Sequence, residues 1–188
     1  MKNFRKMICL CFVVVLVVNI FTGCSKGDLS VTKEFKKDQK ITLELEEKKV
    51  DVYMPKNDLS SSDNTIMASN QNGEIINGKT YKEFLYEVKD ERIDKIFVTL
   101  KDNTIIGYEL SSGDYDEENF ESYISKDVKE FEKKGRKVFY TVTENNGRYI
   151  YYETVPIDDD YSVIITIESF ERIGKEKLEK YVDRIDLR

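Results

Sequence analysis

The chain has 188 residues, 40% of them hydrophobic and 35% charged, with 30 basic and 36 acidic side chains. That length supports one globular domain with its own core and is short for two. The net charge of -6 sets the surface against nucleic-acid phosphates and anionic headgroups, and the lack of any histidine removes Ser-His and Cys-His nucleophile pairs, histidine acid-base catalysis and histidine-liganded zinc.

Lys2, Arg5 and Lys6 form a positive start, and Met7 to Thr22 follow as an apolar run of sixteen residues interrupted by Asn19. A spanning helix needs about 20 apolar residues to cross hydrocarbon about 30 Å thick, and no basic stop-transfer cluster follows this run. The pattern is that of a secretory signal. Its closing residues, Phe21-Thr22-Gly23-Cys24, resemble the lipobox of bacterial lipoprotein precursors. The resemblance implies a signal peptide over residues 1–23, cleavage between Gly23 and Cys24, and a diacylglyceryl group on the Cys24 thiol. It further implies a mature protein that is lipid-anchored in the cell membrane and faces outside the cytoplasm. Phe21 departs from the family pattern, in which Leu is more usual, and Ser25 supplies no inner-membrane retention signal. Two acyl chains suffice for stable attachment.

Cys9 and Cys11 leave with the leader, so the expected mature protein keeps Cys24 alone and forms no intrachain disulfide. The leader also removes three basic residues and no acidic ones, leaving 27 against 36. Residues 24–40 are polar and charged, with Leu29, Val31 and Phe35 as scattered apolar positions, and read as a flexible tether. Residues 41–188 are expected to form the single domain.

In that domain Ile41, Leu43 and Leu45, then Val50, Val52 and Met54, alternate as two strands of a hairpin closed by Pro55. Lys56 to Asn72 reads as a loop, Asn77-Gly78 as a two-residue hairpin turn, and Phe84 to Val88 as a strand. Ile93 to Leu100 and Thr104 to Leu110 form a strand pair around Asp102-Asn103. From Glu117 to Lys134 the residues Phe120, Tyr123, Ile124, Val128 and Phe131 recur at helical spacing, with Gly135 as the stop. Lys137 to Glu144, Arg148 to Val155 and Tyr161 to Glu168 make a meander, and Lys175 to Ile185 carries a second helical stripe.

The expected fold class is therefore α+β: an antiparallel sheet covered by two helices, an α/β sandwich, preceded by a signal peptide and a flexible tether. The order of helix, three-stranded meander and terminal helix over Glu117 to Arg188 resembles the Mog1p/PsbP-like α/β sandwich fold. That family is mostly non-enzymatic, which points to binding or assembly roles.

No catalytic residue, metal site or cofactor is assigned. Ser122, Ser125 and Lys126 fall together on the predicted helix, but a Ser-Lys dyad needs a buried lysine and Lys126 lies on the charged face. Asp114-Tyr115-Asp116-Glu117-Glu118 imitates the start of an EF-hand, yet Asn119 stands where that loop needs Gly and Ser125 where it needs a bidentate Glu. The acids read instead as a helix N-terminus. All twelve tyrosines lie beyond the leader, and Tyr140, Tyr149, Tyr151 and Tyr152 on the meander form a candidate interaction surface for an envelope protein or peptide. The function expected from these features is a non-catalytic, lipid-anchored interaction module of the cell envelope, with membrane contact through the Cys24 lipid. The alternative is a small solute- or glycan-binding lipoprotein, which a closed pocket would favour over shallow grooves.

Overall fold

Alternation from Gln39 onward builds an antiparallel hairpin of β1 (Gln39–Leu45) and β2 (Lys48–Met54), with Ile41 opposite Val52 and Leu43 opposite Val50. Those four side chains are buried together, while Lys40, Thr42 and Lys49 face outward. The two-residue strand β11 (Ile185–Asp186) joins the far side of β2 and completes a three-stranded sheet. These observations come from a computed structural model that describes residues 31, 33–62, 65–113 and 127–188. The expected signal peptide, Gly23, Cys24 and the predicted helix up to residue 126 lie outside the described residues.

The larger sheet has eight strands: β3 (Ile66–Asn70), β4 (Ile75–Gly78), β5 (Ile93–Thr99), β6 (Ile105–Ser112), β7 (Lys129–Lys133), β8 (Arg136–Asn145), β9 (Arg148–Pro156) and β10 (Tyr161–Ser169). Their spatial order is β4-β3-β5-β6-β10-β9-β8-β7, and every pairing is antiparallel. Register places Ile76, Ala68, Ile96, Tyr108, Ile165, Glu153, Tyr140 and Lys129 in one lateral row across all eight strands. Because side chains of paired residues share a face, this row defines the inner side of the sheet. Ile96, Tyr108 and Ile165 on it are fully buried, and burying an aliphatic side chain of this size contributes about 1.5–3 kcal/mol.

Two elements cover that face from β5 to β7. The small sheet lies across β5 and β6 through β1. The helix α2 (Lys175–Val182; α1 is Tyr81–Glu87) buries Leu178, Tyr181 and Val182, and its contacts run from Lys133 on β7 to Tyr108 on β6. Tyr108 donates its phenol proton to the carbonyl of Tyr181 at 3.0 Å. Lys134 reaches past the helix end to the carbonyls of Asp183 and Ile185. On the N-terminal side, Val31 and Phe35 are buried, and Arg184 binds Asp38 at 2.6 Å while its guanidinium lies 4.1 Å from the Phe35 ring centre. The packed structure thus takes in residues ahead of Ile41.

The antiparallel sheet agrees with the sequence, whereas a covering of two helices does not describe it: the protein is mostly β. Several local expectations are corrected. The segment Lys56 to Asn72 contains β3, whose alternation of Ile66, Ala68 and Asn70 was hidden by small and polar residues. Phe84 to Glu87 belongs to the helix α1 (Tyr81–Glu87), with Val88 as its C-cap, because Thr80 and Glu83 form a reciprocal capping box: Thr80 Oγ1 accepts from the Glu83 amide and the Glu83 carboxylate accepts from the Thr80 amide. Asn77-Gly78 is not a turn but the end of β4; the reversal occurs at Gln71 to Glu74, where the Asn70 side chain accepts from the amides of Asn72 and Glu74. Finally, Lys129 to Lys133 is strand β7 rather than the last turns of a helix. Lys134 and Gly135 have φ of 54° and 68°, the two-residue hairpin signature that brings β8 back alongside, so Gly135 turns a hairpin instead of stopping a helix. The terminal helix ends at Val182, and Ile185 pairs with Val52.

Candidate interaction surface

The eight-stranded sheet ends on β4 at one side and β7 at the other. At β4 the backbone of Asn70 donates to the carbonyl of Glu74 at 3.1 Å. In an antiparallel ladder hydrogen-bonded pairs alternate with non-bonded pairs, so Ile76 and Gly78 direct their backbone groups toward β3 while Ile75 and Asn77 direct theirs to the free edge. Ile75 is 64% exposed. An apolar residue on an uncovered edge strand is the usual template for adding a further strand.

Helix α1 runs beside this edge. Gly78 permits the approach: a Cβ there would stand 2.7 Å from the Cβ of Phe84, which is fully buried. Tyr81, also buried, donates its hydroxyl to the carbonyl of Pro55 at 3.1 Å and fastens the helix to the end of β2. Between strand and helix lies an open groove of about 530 Å³ lined by residues 74–79 together with Glu83, Glu87 and Glu91. Its walls are acidic. Asn70, itself buried, donates its amide protons to Glu74 at 2.7 Å and Glu91 at 3.1 Å, which sets two of those carboxylates at the mouth.

The opposite flank of α1 faces β1 across a second groove of about 470 Å³ with Leu85, Val88, Thr42 and Glu44 in its lining. Here charge is matched: Lys49 lies 2.8 Å from Glu44 and Arg92 lies 3.2 Å away. The Lys49 hydrogen bond, with a smaller contribution from Arg92, holds the half-buried Glu44 carboxyl below its ordinary range. Outward from both grooves stands Tyr86, 78% exposed.

The four meander tyrosines do not share one surface. Tyr140, Tyr149 and Tyr151 occupy the inner face. Tyr140 packs against Phe131 with ring centres 5.7 Å apart, Tyr149 is half-buried with the Arg172 guanidinium 5.3 Å from its ring centre, and Tyr151 is buried and accepts the Ile173 amide proton at 2.7 Å. Tyr152, half-buried, lies on the other face opposite Thr141 and Thr166. The features that sequence reading missed are β4 and α1. Their signal was the Thr80/Glu83 spacing just ahead of an apolar helical repeat.

A different feature lies in the core. Glu153 is fully buried and, among the described residues, neither of its carboxyl oxygens has a hydrogen-bond partner. Burial alone raises its pKa well above the ordinary carboxyl value, so it carries its proton through a wide pH range. Among the described residues no group of three or more Cys, Asp or Glu could hold a metal ion, and no helix is long and apolar enough to cross a membrane. Ser122, Ser125, Lys126 and the acids from Asp114 to Glu118 lie outside the described residues. No family model, no curated protein and no solved structure matches this chain.

Proposed function

We propose that this protein is a lipid-anchored extracytoplasmic interaction module of the cell envelope, tethered through Cys24 and binding a protein or peptide partner without catalysing a reaction. The free edge of β4, with the outward backbone groups of Ile75 and Asn77, carries the reading. Edge-strand addition derives affinity from main-chain hydrogen bonds, which any extended segment can make, and specificity from the side chains that flank the edge. The grooves support this mode because they are open rather than closed around a small molecule. The sequence supports the anchoring half: a positive start, a short apolar run and a lipobox-like ending at Cys24.

A second reading, glycan or solute binding, is favoured by Phe170, 51% exposed in the loop after β10 with the Arg148 guanidinium 4.4 Å from its ring centre.

Crosslinking of the tethered protein in intact cells, followed by mass spectrometry, tests the function. One dominant envelope partner is the expected result, and background labelling alone from a correctly anchored protein would move the assignment to a small ligand. The anchor has its own test: Cys24→Ala should abolish lipid labelling and normal processing. A wild-type protein that keeps its leader and takes up no lipid label would remove the lipoprotein assignment.

A further inference from the structure

We infer that the groove between β4 and α1 accepts an extended basic peptide of a partner protein, added as a ninth strand with basic side chains at every second position. The inference rests on the interaction-module reading and deepens it by naming the partner's chemistry.

Three observations converge. The edge is open: Ile75 and Asn77 present N–H and C=O groups outward, and none of the backbone hydrogen bonds among the described residues occupies them. The space beside it, about 530 Å³, is bounded by α1 and not filled by it. The charge in that space is one-sided, with Glu74, Glu83, Glu87 and Glu91 around the groove and Lys79 at its end.

Spacing makes the match specific. Glu83 and Glu87 are four residues apart on a helix, a rise of about 6 Å, and alternate residues of a strand are about 6.6 Å apart. A strand paired to β4 therefore brings successive same-face side chains past successive glutamates with little drift. Gly78 and Ile76 point to the α1 side of the sheet and Ile75 to the other. The incoming chain thus sets its basic side chains toward the glutamates and its intervening residues beside exposed Ile75, where an aliphatic side chain gains cross-strand contact. The pattern recognised is basic, apolar, basic, apolar. A second copy of this chain adding through the same edge would bring the glutamates against their own images, so like-charge repulsion disfavours self-association there.

The test uses the full-length protein in detergent micelles and a fluorescent heptapeptide, Lys-Val-Lys-Val-Lys-Val-Lys, with a Glu-for-Lys peptide as control. Anisotropy should show saturable binding of the lysine peptide, weakened by salt, and none of the glutamate peptide. Asn77→Pro removes an outward edge donor at a position where proline is tolerated, and Glu87→Lys reverses one charge; each should weaken binding by about tenfold. Bound peptide should also slow amide exchange at Ile75 and Asn77, a readout that does not depend on a variant folding. Lysine-peptide binding that both substitutions leave unchanged would be general charge attraction and would overturn the inference, as would no binding at all. A dominant partner crosslinked in cells at residues away from 74–91 would sink this site while leaving the interaction module standing.

Discussion

Gly78 approaches Phe84 so closely that a Cβ on the glycine would lie 2.7 Å from the Cβ of the phenylalanine and 3.0 Å from its backbone. Because the obstacle includes backbone, no rotamer change relieves it. Gly78→Ala should push α1 away from β4 and cost about 1–3 kcal/mol, the usual penalty for overpacking a filled site. Urea unfolding read by circular dichroism measures the loss; a midpoint within error of wild type would mean that helix and strand are not in register as described.

Thr80 and Glu83 begin that helix by satisfying each other's amide protons. Thr80→Ala removes one partner of the box and should cost about 1 kcal/mol. Since α1 has seven residues, its stability depends strongly on such an end, and amide exchange in residues 84–88 should accelerate more than in β5 or β6. Uniform acceleration across the domain would contradict a local role.

Glu153 makes stability depend on pH in a definite direction. In the unfolded chain its carboxyl ionises near the ordinary value, whereas burial keeps it protonated in the folded state. At low pH both states hold the proton and the group adds no difference. As pH rises past the unfolded value, the unfolded state loses its proton first, so stability falls by about 1.4 kcal/mol per pH unit until the folded pKa is reached. Glu153→Gln has no proton to lose and should match wild type near pH 4 but exceed it at pH 8. Equal pH profiles for the two proteins would show that the carboxyl finds a partner in solution.

Arg184 and Asp38 join the C-terminal turn to the segment ahead of β1. The guanidinium also donates to the carbonyl of Tyr53 at 2.9 Å, and both charged side chains are largely covered. Asp38→Ala leaves that guanidinium short of one partner and should destabilise the domain by about 1–3 kcal/mol. Protease cleavage between Val31 and Gln39 should quicken in the variant. Cleavage at the wild-type rate would show that the pair does not hold the segment down.

Legibility in the sequence followed how much of each element's pattern was local. The hairpin of β1 and β2, the pair β5 and β6 and the meander of β8 to β10 each carry several alternating apolar residues between turn signals. A period of two needs no knowledge of the rest of the chain. β3, β4 and β7 are four or five residues long and offer only one to three buried positions each, too few to fix a period. Phe131 fits a helical stripe as readily as a strand until β8 pairs with it.

The residue inventory is legible in the chain alone: no histidine, an acidic balance, an apolar N-terminal run closed by Gly23-Cys24, and runs of alternating apolar residues that require sheets. Those are properties of composition and near neighbours. Only long-range contacts fix which strands lie at the edges, that α1 packs against β4 at the end of the sheet, and that Tyr151 and Glu153 point into the core. Strand order and facing are set by contacts between residues far apart in the chain, through side-chain packing that a local period does not encode.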